Sequence, residues 1–225
     1  MINKELQKRI LSSLVLIHIA LFFIIKGTYF FNFFIFICLV IAIYEWNNIS
    51  KKKGYKIPGV IFLIFSFYSA YYIRNEMYGD YIYFIIILFI CIFTDIGGYI
   101  FGKFFKGPKL TKISPKKTYS GVLGGYIFAI LFVTLFFNNF DYISEITNIN
   151  TSSKELSLKN FLLTIVISTI SQLGDICISY FKRKSKIKNT GKILPGHGGL
   201  LDRIDGMIFT FPFIYIMFKF YILTF

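Results

Sequence analysis

The sequence predicts an all-α protein, a polytopic bundle of about seven transmembrane helices with its N-terminus in the cytoplasm. Three observations carry that reading. Of 225 residues, 56% are hydrophobic and only 16% are charged, well below the roughly 25% charged residues usual in a soluble domain. The apolar residues gather in runs comparable to the thickness of a bilayer. The basic residues fall mostly in alternate loops between those runs, and so on one side of the membrane. A disordered tail, a disulfide scaffold and an ordinary soluble enzyme are excluded by the same composition.

The runs cover about residues 10–25, 28–44, 58–73, 81–101, 120–137, 161–181 and 204–225. Spanning a bilayer core takes about 20 apolar residues, so run length favours helices over strands. The first and third runs are short and would borrow flanking residues. The first follows the basic segment MINKELQKRI, and no small-residue cleavage site ends it, so it reads as a retained helix. The fourth closes on Asp95 and the Gly97-Gly98 pair. Residues 138–160 after the fifth read as a polar connector. The sixth carries a polar stripe, because Ser171, Asp175 and Ser179 are spaced i, i+4, i+8 on one face.

Alternating the loops places twenty basic residues on one side and four on the other. The rich side holds the N-terminus, residues 51–56, the loop 102–119 and the segment 182–203, and is therefore cytoplasmic. The formal net charge of +14 would point to nucleic acid in a soluble protein. Here the cations sit between apolar runs, which favours membrane topology, anionic lipid or an anionic substrate, with no nucleic-acid partner. Cys38, Cys91 and Cys177 lie in apolar runs without metal-type spacing and read as buried, reduced thiols.

Candidate chemistry concentrates in four acids, Asp95, Asp175, Asp202 and Asp205, because carboxylates at membrane helices usually face a cavity, an ion or a partner. The densest stretch is KRKSKIKNTGKILPGHGGLLDRIDG, residues 182–206. Its Pro195, Gly196, Gly198 and Gly199 interrupt regular helix, and glycines let backbone N–H groups approach an anion. His197 lies among them. Asp202 and Asp205, three apart, share a face if a helix begins near Leu201. Convergent aspartates suit Mg²⁺, which takes oxygen ligands together with substrate phosphates. Lys182, Arg183, Lys188 and Arg203 are the first candidates for phosphate contacts, with Lys116 and Lys117 behind them. The segment 94–125 has a similar Asp, Gly and Lys composition on the same membrane face, which points to one composite polyphosphate site.

The segment Ser179-Tyr-Phe-Lys182-Arg183, then Lys188, Gly191, Pro195-Gly-His197-Gly-Gly and Asp202-Arg203-Ile-Asp205, resembles the C-terminal signature of the phosphatidate cytidylyltransferases. SQLGD at 171–175 and TDIGGYIFGK with KLTKISPKKTYSG resemble further motifs of that family, over about residues 94–206. Three positions depart from its usual pattern. Asn189 stands where an Asp is usual, Ser120 where an acid is usual, and Gly206 where a Ser is usual.

The resemblance implies a membrane enzyme that joins CTP and phosphatidic acid into CDP-diacylglycerol and pyrophosphate with Mg²⁺, among membrane lipids and as a homodimer. It implies an inner-membrane, multi-pass protein whose site faces the cytoplasm. Residues 1–80 would then be N-terminal transmembrane helices. Residues 81–225 would be the catalytic transmembrane domain, with cytoplasmic loops 102–119 and 182–203. Asp175 and Asp202 would bind metal with Asp205 in support. Lys182 and Arg183 would be the family's Lys-Arg pair, and His197 its signature histidine. Ser179, Lys188, Arg203, Lys116, Lys117, Gly198 and Gly199 would contact substrate. A membrane kinase of a lipid alcohol, a transporter, or a catalytically inactive relative are the alternatives.

Overall fold

In the computed structural model the described residues are 4–51, 53–77, 81–139, 157–193 and 198–220, with side chains undescribed at 4–14 and 28. Within them the chain is helical: α1 (Lys4–Lys26), α2 (Thr28–Ile49), α3 (Lys56–Asn75), α4 (Ile82–Phe104), α5 (Tyr119–Asn138), α6 (Leu158–Lys184), the single turn α7 (Leu201–Ile204) and α8 (Met207–Lys219). Five of these, α2 to α6, are long and apolar enough to cross a membrane. The protein is a polytopic helical bundle.

The helices overrun the apolar runs at their ends. α6 continues to Lys184, and α2 continues past residue 44 to Ile49. The last apolar run is not one continuous hydrogen-bonded helix: Asp205 and Gly206 keep right-handed helical torsions between α7 and α8, but the Gly206 N–H goes to Asp205 Oδ1.

Three local devices set how the bundle packs. First, α4 and α5 approach backbone to backbone. A Cβ at Gly97 would overlap the Gly124 carbonyl, and one at Gly121 would come within 2.8 Å of the Gly98 carbonyl. Small residues at such a crossing let helices pack closely in lipid. Second, Pro212 inside α8 has no N–H for the carbonyl four residues back, Ile208. Ser66 of α3 donates its hydroxyl to that oxygen at 2.7 Å. Third, Arg74 at the end of α3 donates to the Ile24 carbonyl through Nε at 3.1 Å and Nη2 at 2.8 Å, holding the last turn of α1. Gly27 permits this turn with φ of 81°, and a Cβ there would lie 2.8 Å from the guanidinium.

The buried apolar residues form two groups. One includes Phe31, Ile73, Ile87, Ile90, Ile167 and Ile214. The other includes Ala42, Trp46, Leu63, Ile178, Leu201 and Ile208. The second lies at the end where the basic loops emerge. There Lys53 donates to the Lys184 carbonyl at 2.9 Å and to Ser185 at 3.0 Å, and Ser185 donates to the Ile49 carbonyl at 2.6 Å. The α2–α3 turn is thereby tied to the end of α6. Of the three cysteines, Cys91 is buried and Cys38 partly so, but Cys177 is exposed. Cys177 departs from the expectation because it faces outward from α6 into an apolar cleft, where lipid rather than protein can cover it.

Candidate active site

The site forms where α6, α7 and the 105–118 loop meet. α6 presents Asp175, Ser179 and Lys182 on one face, spaced by roughly a turn each. Ser179 donates to Asp175 Oδ1 at 3.3 Å. Further along the same helix, Thr94 of α4 donates to Ser168 at 2.9 Å, which also accepts from Gln172 at 3.3 Å. The polar stripe read from the sequence therefore points into the bundle.

Lys117 reaches across from the loop before α5. Its ammonium lies 2.5 Å from Asp175 Oδ2 and 3.3 Å from the Gln172 carbonyl, so it also caps a carbonyl of α6. The side chains of this pair are about a quarter exposed, at 23% and 28%, so water screens part of the attraction. The close α4–α5 crossing carries Lys117 there. Lys117 of the first basic loop thus meets the helix that leads into the second.

On the other side of Asp175 lies Asp205, buried, with its carboxyl against that of Asp175 and in the electrostatic reach of Asp95. Asp95 is exposed and lies within electrostatic reach of Asp175 and Lys117. Arg203 of α7 adds a positive charge that reaches Asp95.

Lys182 is buried and bridges two carboxylates, at 2.9 Å from Asp202 Oδ1 and 4.0 Å from Asp205 Oδ2. The other oxygen of Asp202 accepts from the Thr190 N–H at 2.8 Å and the Gly199 N–H at 3.0 Å, with the Thr190 hydroxyl 3.1 Å away. Gly198 adopts φ of 95° beside it, and a Cβ there would lie 2.7 Å from Asp202 Oδ2. The glycines thus bring backbone donors onto an anion, and in this structure that anion is the carboxylate of Asp202.

The remaining cations lie outward. Arg183 is exposed and donates to the Ile187 carbonyl at 3.2 Å. Lys116, Lys188 and Arg203 are also exposed. His197 lies outside the described residues. Among the described residues no three acids, histidines or cysteines are arranged to hold a metal ion as they stand. The ammonium groups of Lys117 and Lys182 stand among the carboxylates instead.

One residue at the centre was not anticipated. Glu45, in the last turns of α2, is completely buried and sits behind Asp202. Its signal was present, as Glu45 is the only acid between Glu5 and Glu76. Thr190, which touches both Glu45 and Asp202, was also missed.

The family model of the cytidylyltransferase family matches residues 7–81 and 60–221 of this chain. The chain belongs to the cytidylyltransferase family. Among curated relatives, the phosphatidate cytidylyltransferase of Rickettsia felis is 35% identical over 222 residues, covering 95% of this chain and 92% of that protein. That of Rickettsia typhi is 33% identical over 93% and 90%. That of Staphylococcus haemolyticus is 35% identical over 81% of this chain and 65% of that protein.

Two of this cytidylyltransferase's departures from the signature have a structural reason. A side chain at Gly206 would overlap the Ser171 hydroxyl and approach the Ser171 carbonyl to 2.9 Å, so the usual serine does not fit opposite Ser171. Ser120 donates to the Lys106 carbonyl and pairs with Thr118 at 2.9 Å, fastening the loop that carries Lys117. Nothing in the structure explains Asn189.

Proposed function

We infer that the chain is a phosphatidate cytidylyltransferase, moving CMP from CTP to phosphatidic acid to give CDP-diacylglycerol and pyrophosphate. The convergence of Lys117 and Lys182 on Asp175, Asp202 and Asp205 at one end of an apolar bundle carries this reading. The activity named for the three relatives agrees with it.

The chemistry asks for little beyond such a site. The phosphate of phosphatidic acid is already an anion at neutral pH and needs no base. One of its oxygens attacks the α-phosphorus of CTP. The bond from that phosphorus to the bridging oxygen breaks, and pyrophosphate leaves with the electron pair. What remains is to bring two polyanions together and to stabilise the leaving group. Lys182, Arg183, Lys188 and Arg203 would neutralise phosphates from one side, and Lys116 and Lys117 from the other. Ser179 and the backbone at Gly198 and Gly199 would add donors.

The donor set also suits a hard cation. Asp175, Asp202 and Asp205 offer only oxygen, and the Lys182 ammonium already lies between two of them. We assign Mg²⁺ to these aspartates, where it would supply charge stabilisation to the phosphate oxygens. The basic loops would place this end of the bundle at the cytoplasmic face of the inner membrane. CTP would arrive from the cytosol and the lipid sideways from the bilayer. An apolar cleft of about 220 Å³ beside the site, lined by Trp46, Phe62, Cys177, Phe181 and Phe209, suits a hydrocarbon chain.

The test uses purified protein in liposomes with CTP and Mg²⁺, offering phosphatidic acid or diacylglycerol as acceptor. A CDP-lipid and pyrophosphate formed from phosphatidic acid, and abolished by EDTA, is expected. A phosphorylated alcohol formed from diacylglycerol would overturn the reading in favour of a lipid kinase.

A further inference from the structure

We propose that Glu45 is a positioning residue for nucleotidyl transfer, holding Thr190 and residues 199–201 in the arrangement that aims Asp202 at Lys182. This rests on the cytidylyltransferase reading above and adds a residue that the signature motifs do not contain.

Burying a carboxylate is costly unless hydrogen bonds replace its water. Glu45 is fully buried and has three such bonds. Oε1 accepts from the Leu200 N–H at 2.9 Å. Oε2 accepts from the Leu201 N–H at 2.9 Å and from the Thr190 hydroxyl at 2.7 Å. The backbone at residues 190–191 and 199–201 is shaped around this group. A Cβ at Gly191 would come within 2.6 Å of Oε1, and one at Gly199 would overlap both carboxylate oxygens and the Thr190 hydroxyl. Two glycines of the signature segment therefore make room for a side chain delivered by α2.

Asp202 draws on the same stretches of backbone. The N–H of Gly199 goes to Asp202, and those of the next two residues go to Glu45. Thr190 gives its N–H to Asp202 and stands with its hydroxyl between the two carboxylates, 2.7 Å from Glu45 and 3.1 Å from Asp202. A hydroxyl has one proton to donate, and the shorter distance assigns it to Glu45. The two carboxylates thus grip Thr190 and residues 199–201 together. Releasing Glu45 frees Thr190 and residues 199–201, which fix the rotation of Asp202. Glu45 is buried behind Asp202, so it acts through Asp202. A buried network of this kind stabilises one geometry when every member is satisfied.

The test compares wild type with Glu45→Gln, Glu45→Asp and Thr190→Val, as full chains in phosphatidic-acid liposomes. Glu45→Gln keeps the volume but sets an NH₂ group against a backbone N–H. We expect kcat to fall about 10- to 100-fold per folded enzyme, the usual range for residues that orient a ligand, with KM for CTP within about twofold. Without nucleotide or metal, amide hydrogen exchange across residues 198–204 should speed up about tenfold or more, because the protecting acceptor is lost. Thr190→Val removes the hydroxyl link alone and should lower kcat in the same direction by a smaller factor. It also serves if Glu45→Gln fails to fold. Glu45→Asp keeps the charge and should recover part of the loss. Unchanged kcat in both Glu45→Gln and Thr190→Val, or unchanged exchange at 198–204, would overturn the proposal. A wild type without cytidylyl transfer would instead overturn the function, while the exchange measurement would still decide the role of Glu45.

Discussion

The ammonium of Lys182 stands between two carboxylates of the following segment, 2.9 Å from Asp202 and 4.0 Å from Asp205, with all three side chains about nine-tenths buried. Lys182→Met would leave two acids without their cation in a dry place. Removing one partner of a buried pair typically costs about 3–5 kcal/mol, because the remaining charge is uncompensated. We expect a clear drop in melting temperature in detergent and loss of CDP-lipid formation. A variant that melts like wild type would show that water reaches these acids freely.

Lys117 contrasts with Lys182, since its ion pair with Asp175 is partly exposed. Exposed pairs contribute about 1 kcal/mol or less to stability. Lys117→Met should therefore leave thermal stability nearly unchanged while lowering turnover by about tenfold or more, the effect expected when one preorganised donor is lost from a charge-stabilising site. Kinetics and melting curves on the same preparation separate the two effects.

Gly206 and Ser171 are complementary in size. Gly206→Ala should destabilise the protein by about 1–3 kcal/mol through overpacking. Adding Ser171→Ala removes the hydroxyl that the new methyl would strike and should recover part of that loss. A thermal-denaturation double-mutant cycle reads the coupling. Strict additivity would contradict the contact.

Ser66 supplies the hydrogen that Pro212 cannot give to the Ile208 carbonyl. Ser66→Ala should cost about 1–3 kcal/mol, the penalty for leaving a buried acceptor unsatisfied. Turnover by the folded fraction should stay unchanged, as Ser66 lies outside the site.

The helical bundle was legible because run length and charge placement are local properties of the chain. The convergence of residues 94–125 with 171–206 was legible too, since both segments carry Asp, Gly and Lys on one predicted face. Glu45 was not. Its partners are the backbone N–H groups of Leu200 and Leu201 and the hydroxyl of Thr190. Backbone donors leave no side-chain pattern, and 155 residues separate Glu45 from Leu200. The break between α7 and α8 was hidden for a related reason. Ile204 to Phe225 carries no charge apart from Asp205 and Lys219, and at the junction the Gly206 N–H goes to Asp205 Oδ1 at 3.0 Å.

The reaction itself is tested most directly by following the phosphorus of CTP. Protein in phosphatidic-acid liposomes would receive CTP labelled at either the α- or the γ-phosphate, with Asp202→Asn in parallel. Cytidylyl transfer places the α-label in the lipid and the γ-label in pyrophosphate, and neither label moves in Asp202→Asn. A γ-label in the lipid, or full transfer by Asp202→Asn, would contradict it.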